Sequence, residues 1–286
     1  MRMTVCVPFM GHLDELKGVV GQLMHMTNKT TEFLFINNGT DGLFEWLRRY
    51  FPHDDWHYSK SPDNLGMVKT MQYAYEMCET EILAIIHNDV FIYEKEWDQR
   101  VLRYFKEDEE LGVAGFFGAE YIGVGADRSY CWSNMLEADH HGVRLVGPGS
   151  LAVAVLDGFC LVFRMDMLKK AGGFDQRYHY HHIYDKAACL QSLALGYRNI
   201  VVNIPCHHMS GITAERPQYQ EWINREVGMN QADQWTHDEN HKLFKEIWDP
   251  VLPLRVNWDF SYAIGGDLKG NAIVGYDWKK ELVVHE

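Results

Sequence analysis

The sequence has no Cys-x-x-C pair, no long apolar run and no cluster of basic residues, and each shortage removes a class of protein. Its 6 cysteines, Cys6, Cys78, Cys131, Cys160, Cys189 and Cys206, are scattered along the chain. Neither a disulfide framework nor a zinc ribbon is therefore indicated, and these residues read as small buried hydrophobes. No window approaches the ~18 consecutive apolar residues that a membrane span requires. The opening MRMTVCVPFM runs directly into a strand-like segment, without the longer apolar stretch and small-residue cleavage site of a secretory signal, so a cytoplasmic location is expected. Basic residues form no run longer than pairs such as Lys169-Lys170 and Lys279-Lys280, and the net charge is −13. Long-range attraction to nucleic acid or to an anionic membrane is not expected from such a chain.

What the 286 residues do contain, at 47% hydrophobic and 23% charged, is enough apolar material for a sizeable core. Strand-like and helix-like runs alternate. MTVCVPF (3–9) reads as a strand, and Leu13, Leu16, Val19, Val20, Leu23 and Met24 give helical spacing after it. EFLFINN (32–38) is a second strand, closed by the turn signal NGTDG and followed by the helical GLFEWLRRYF. A further helix follows in SPDNLGMVKTMQYAYEMCE, with Met67, Thr70, Met71 and Ala74 on one face and Asn64 and Gly66 at its entrance. EILAIIHNDVFIY (81–93) reads as one central strand. This order predicts an α/β protein with a mainly parallel sheet flanked by helices, and ligands at the carboxyl edge of the strands.

Later segments are less regular. The 94–111 stretch is amphipathic, and GVAGFFGAEYIGVGADRSYCW is rich in glycine, as suits bends close to a ligand. LAVAVLDGFCLVFRMDML (151–168) is a strand interrupted by Asp157-Gly158, a helix is expected from about Asp185 to Leu195 with a stop at Gly196, and a strand should end near Pro205. QYQEWINREVGMN and WTHDENHKLFKEIWD read as helices, with Trp222, Trp235 and Trp248 spaced along them, and 250–286 as a tail with little pattern.

Two polar interruptions of apolar runs stand out. A carboxylate is costly to bury without a partner, which makes Asp157 a candidate for function or capping. His87-Asn88-Asp89, inside LAIIHNDVFIY, brings three metal-capable side chains to the end of a central strand. Fifteen histidines, including the pairs His140-His141, His181-His182 and His207-His208, raise the question of a zinc hydrolase. No H-E-x-x-H or H-x-H-x-D arrangement occurs, and adjacent histidines on a strand or helix cannot readily share one ion, so that reading is set aside.

Taken in order, a strand ending near Pro8, NNGTDG, NLGMVKTMQYA, HNDV, LDGFCLVFR, GGFD, YDKAACLQSLALGY and HHMSG resemble the motif series of a GT-A fold glycosyltransferase, most like family 2. The likeness spans roughly 3–210. It implies a GT-A domain over 1–215, with a nucleotide-sugar half at about 1–93 and an acceptor half at about 94–215, and then a C-terminal helical extension and tail over 216–286.

The resemblance also implies roles. HNDV stands where the family has its D-x-D motif, giving Asp89 as a metal-binding carboxylate with His87 in place of an acid. His208 corresponds to a further metal ligand, its neighbour His207 facing the other way in an extended backbone. The ion expected is Mn2+ or Mg2+. Asp185 matches the base that deprotonates the acceptor, and Ala187 replaces a second acid. Nucleotide binding falls to Pro8, Asn37, Asn38, Asp41, Asn64, Gly66, Lys69 and Asn88, with Asn amides suited to a uracil edge. Asp157, Gly158, Trp132 and His182 fall to the sugar or acceptor, with Tyr130 and His141 in the same variable segment. The implied reaction is inverting transfer from a nucleotide diphosphate sugar, a UDP-sugar first, to a hydroxyl acceptor, with a saccharide favoured. Alternatives are the same chemistry on a modified nucleobase in DNA, or a domain that binds a sugar nucleotide or glycan without turnover. Residues after about 216 are expected to pack on the core, with walling of the acceptor site or homo-oligomerisation as the alternatives.

Overall fold

The computed structural model describes residues 1–61, 63–136, 147, 149–209, 217–256 and, for the backbone, 262–264. The apolar runs MTVCVPF, EFLFIN and ILAII form β1 (Met3–Phe9), β2 (Glu32–Asn37) and β4 (Ile82–Ile86), which are parallel neighbours, with β3 (Trp56–Lys60) on the outer edge. β1, β2 and β4 are buried along almost their whole length, as parallel strands covered on both faces must be. α1 (Leu13–Met26), α2 (Leu43–Tyr50) and α3 (Gly66–Met77) make the connections between them. In α3 the inward positions are Val68, Thr70, Met71 and Ala74, whereas Met67, expected on that face, is half-buried and lines a cavity.

The sheet then becomes mixed. β11 (Cys160–Arg164) runs antiparallel between β4 and β6 (Leu111–Gly115), followed by β12 (Arg198–Val202) and β9 (Ser150–Ala152), in the order β3-β2-β1-β4-β11-β6-β12-β9. A second sheet contains β7 (Phe117–Ile122), β8 (Arg128–Ser133), β10 (Val155–Leu156), β14 (Leu254–Val256) and β15 (Tyr262–Ile264). A two-stranded ribbon joins β5 (Val90–Ile92) to β13 (Cys206–His208). The remaining helices are α4 (Trp97–Glu107), α5 (Met165–Ala171), α6 (Tyr184–Ala194), α7 (Pro217–Val227) and α8 (Ala232–Trp248).

Three expectations change. The single strand over 81–93 is two, because the polar triplet His87-Asn88-Asp89 cannot continue a buried ladder and separates β4 from β5. The glycines of 112–118 do not make bends at a ligand. They sit in strands whose neighbours approach too closely for a side chain: a Cβ on Gly118 would lie 3.0 Å from both Leu156 and Val153, and one on Gly112 would strike Ser192 and Tyr197. The patternless tail contributes β14, antiparallel to β7. α8 joins the main core through Phe244 and Trp248, while Tyr219, Trp222, Ile223 and Ala232 form a small cluster against Met10 and Tyr180. His141 and the tail beyond 264 lie outside the described residues.

Candidate active site

Chain reversals gather polar side chains at the carboxyl edge of β1, β2 and β4. β4 ends at Ile86, so His87, Asn88 and Asp89 emerge there. β11 pairs antiparallel with Cys160 opposite Ile86, and His87 N–H donates to the Phe159 carbonyl at 2.9 Å. That register brings the preceding turn, Asp157-Gly158, to the same edge. β13 pairs antiparallel with β5, His208 opposite Val90, and Met209 N–H donates to the Asp89 carbonyl at 3.1 Å, which sets His208 beside Asp89. These residues and the start of α6 line a cavity of about 450 Å³.

Ligand atoms of His87, Asp89 and His208 all lie within 4.8 Å of one another. Asp89 Oδ1 is buried and makes no hydrogen bond, with His208 Nε2 3.3 Å away as an ion-pair contact. The His208 ring is stacked on Phe159 with centroids 4.7 Å apart, and His207 turns towards Phe91. Burial pushes the His87 imidazole down to about 4, leaving the ring neutral at ordinary pH with a lone pair to donate, while Nε2 lies 3.2 Å from Tyr184 Oη. Burial pushes the Asp89 carboxyl up, but the close approach of His208 and then of His87 outweighs it and holds the carboxyl below its usual range. A carboxylate oxygen buried without a donor, facing two imidazoles, fits a divalent cation better than it fits a closed polar network.

Two acids lie beside this cluster with opposite tendencies. Asp157 is desolvated, yet its ion pair with Arg128, 2.9 Å away, keeps its carboxyl low. Asp185, at the first turn of α6, accepts from Gly158 N–H at 3.1 Å and Lys186 N–H at 2.9 Å, but burial and then the Asp157 charge push its carboxyl up. Paired carboxylates pushed apart in this way divide roles between a permanent anion and a proton acceptor. Gly158 is required here, because a Cβ would strike the Tyr184 hydroxyl.

The opposite wall comes from the loop before α6 and from α7 and α8. Tyr180, His182 and Ile183 take positive φ values of 41°, 70° and 65°. Asn240, fully buried on α8, donates to the carbonyls of His179, His181 and His182 and accepts from His179 N–H. His181, His182, Tyr219 and His237 line the cavity.

Of the residues expected at the site, Pro8, Asn38, Asn64, Gly66, Asn88, Asp89, Asp157, Gly158, His182, Asp185 and His208 line this cavity. Asn88 donates to the Met10 carbonyl at 3.0 Å, Asn38 donates to Thr70 Oγ1, and Asn64 accepts from Gly66 N–H. Four residues do not line it. Asn37 is buried in its own turn, accepting from Gly39 and Thr40 N–H and donating to the Thr40 carbonyl and Tyr58 Oη. Asp41 is exposed, 3.9 Å from Lys60, and Lys69 is exposed on α3. Trp132 Nε1 donates to Glu120 at 2.8 Å in the second sheet. Arg128, Tyr184, Tyr219 and Asp233 belong to the site's surroundings and were not picked out by sequence. For Tyr184 the signal was its place directly before Asp185. Arg128 could have been noticed as a lone cation in a glycine-rich stretch.

A family model described as a glycosyltransferase like family matches residues 62–247. Solved structures share the architecture at low identity. A mannosyltransferase from Pyrobaculum calidifontis, solved with GDP-Man and Mn2+, is 13% identical with a TM-score of 0.51, covering 87% of this chain and 71% of that one. GalNAc-T7, solved with UDP, GalNAc and Mn2+, is 11% identical with a TM-score of 0.59, and the match covers 82% of this chain but 49% of that one. TarS 1-349 of S. aureus is 12% identical with a TM-score of 0.54, covering 93% and 97% of the two chains. No curated protein matches the sequence significantly. The structural likenesses speak for the GT-A fold, and the family match, which spans well over half the chain, shows that the protein belongs to the glycosyltransferase like family.

Proposed function

We propose that the protein moves a glycosyl group from a nucleoside diphosphate sugar, a UDP-sugar first, to a hydroxyl of a saccharide acceptor with inversion at the anomeric carbon. The observation that carries this reading is the unbonded, buried Asp89 oxygen facing His87 and His208, in one cavity with the proton-seeking carboxylate of Asp185. His87, Asp89 and His208 would hold the cation, and two imidazoles with one carboxylate favour manganese over magnesium, which prefers oxygen ligands. Such an ion neutralises the charge that gathers on the diphosphate as its bond to the sugar breaks. The GDP-Man of one neighbouring structure is of this donor class and the UDP of another is the nucleoside diphosphate that such a donor releases, both with Mn2+.

Asp185 acts as the base. Its raised proton affinity makes it a better acceptor for the hydroxyl proton than an ordinary carboxylate. The acceptor oxygen bonds to the anomeric carbon, the electron pair of the old bond leaves with the diphosphate, and the proton rests on Asp185. Asp157, tied to Arg128, stays ionised and out of the proton transfer. Residues of 1–93 bind the donor, with His208 joining them at the cation, and the rest of 94–215 binds the acceptor, with α7 and α8 closing the acceptor wall.

Titration calorimetry with UDP, GDP and their sugars, with and without Mn2+, tests the donor half of this reading, and nuclear magnetic resonance of the product's anomeric proton tests the rest. Binding should need the ion and lose that dependence in Asp89→Ala. Nucleotide binding indifferent to Mn2+ and to Asp89→Ala, or retention of configuration, would overturn it.

A further inference from the structure

We propose that His181, His182 and Asp233 form a second divalent-cation site, of the zinc class, on the wall of the same cavity and separate from His87, Asp89 and His208. His181 Nε2 lies 2.7 Å and His182 Nε2 3.1 Å from the same oxygen, Asp233 Oδ1, and the two imidazole centroids are 3.8 Å apart. Ligands held ~2.0–2.2 Å from one zinc at roughly 90–110° stand ~2.8–3.6 Å from each other, so one ion would gather these atoms with a shift of a few tenths of an ångström.

Neighbouring histidines in a strand or helix diverge, and these converge because the backbone is neither. His182 and Ile183 are left-handed, at φ 70° and 65°. Left-handed non-glycine residues cost ~1–3 kcal/mol each and persist only where the surroundings impose them. Here they are imposed from two sides. Asn240 of α8 binds three carbonyls of the loop, and Val68 N–H of α3 binds the Tyr180 carbonyl at 2.8 Å. Gly66 has no side chain because a Cβ there would meet Tyr180 Cα at 2.9 Å. An ordinary surface ion pair needs none of this.

The Tyr219 hydroxyl lies against the same cluster, 2.6 Å from His181 Nδ1, 2.9 Å from His181 Nε2 and 3.4 Å from Asp233 Oδ1. Two imidazoles and a carboxylate suit zinc as well as manganese, and three protein ligands leave a coordination position free. His181 and His182 line the cavity, so water or an oxygen of the acceptor reaches that position from inside it.

The test is zinc titration by calorimetry of the full chain after chelator stripping, which reads binding independently of transfer. In a protein carrying Asp89→Ala and His208→Ala, one equivalent of zinc should still bind. Adding Asp233→Asn should weaken it by more than about 100-fold, beyond the ~10–100-fold typical of outer-shell losses. Adding His182→Gln instead should do the same, and this half-exposed residue serves as the second arm if Asp233→Asn does not fold, with circular dichroism as the check. Absence of zinc binding in the double variant, or zinc binding unaffected by both further changes, would overturn the proposal.

Discussion

Gly158→Ala adds one methyl group at the point where the two halves of the site meet. The new Cβ would fall inside contact distance of the Tyr184 hydroxyl, 3.0 Å from Tyr184 Cζ and 3.3 Å from Cε2. Turning the hydroxyl cannot relieve a clash with ring carbons, so the phenol ring must shift. Tyr184 Oη lies 3.2 Å from His87 Nε2, and the Gly158 N–H itself holds Asp185 Oδ2 at 3.1 Å. One methyl therefore strains the cation cluster and the base together. Overpacking of this kind costs ~1–3 kcal/mol of stability, and displacement of reacting groups by ~1 Å costs on the order of 10²-fold in rate. Urea unfolding should read the first, and initial rates of nucleoside diphosphate release the second. Adding Tyr184→Phe removes the nearest clashing atom, so the double variant should be more stable than the two single effects predict, with a coupling of ~0.5–3 kcal/mol. A Gly158→Ala protein with wild-type stability and rate, or strictly additive effects in the double variant, would refute this reasoning.

Asp185→Ala should lower kcat by ~10²–10⁴-fold, the range for a general base, while calorimetry finds nucleotide binding retained. Because burial and then Asp157 raise the Asp185 carboxyl and only its ionised form accepts a proton, kcat should fall as pH drops through a value above the ordinary ~3.9. Asp157→Asn removes one of those raising causes and should move this acid limb of the pH–rate profile downward. Arg128→Ala strands Asp157, and because both side chains retain some solvent contact, the loss in urea unfolding should fall below the ~3–5 kcal/mol of a fully buried pair. Asn240→Ala leaves three loop carbonyls and one N–H without their partner. At ~1–3 kcal/mol for each group stranded without water, thermal unfolding should register a clear drop, and the 179–183 loop should become open to limited proteolysis.

The parts of the fold that were legible are those whose burial is uniform along an element. β1, β2 and α6 follow from their apolar runs and spacing, because covered strands and helices need little else. β3 escaped because WHYSK is an edge strand with no residue fully buried. The glycines of β6 and β7 were misjudged because close packing between strands and bending at a ligand leave the same letter in a sequence. At the site, Asp89 and Asp157 stood out as charges interrupting apolar segments, Asp185 was found through the motif resemblance, and all three line the cavity. Asn37 carried the same turn signal as Asn38 but is spent on the turn itself. The meeting of His181, His182 and Asp233 was invisible, since it depends on left-handed backbone and on α8, some fifty residues downstream, folding back over the loop.

The central claim is that a cation held at Asp89 and a base at Asp185 together drive sugar transfer. Its most direct measurement is nucleoside diphosphate release from a panel of sugar nucleotides with Mn2+ and saccharide acceptors, run on wild type, Asp89→Ala and Asp185→Ala, each with and without a chelator. Release by wild type alone, abolished by the chelator and by either substitution, is the predicted result. Release that persists at the wild-type rate in chelator or in Asp185→Ala would contradict it.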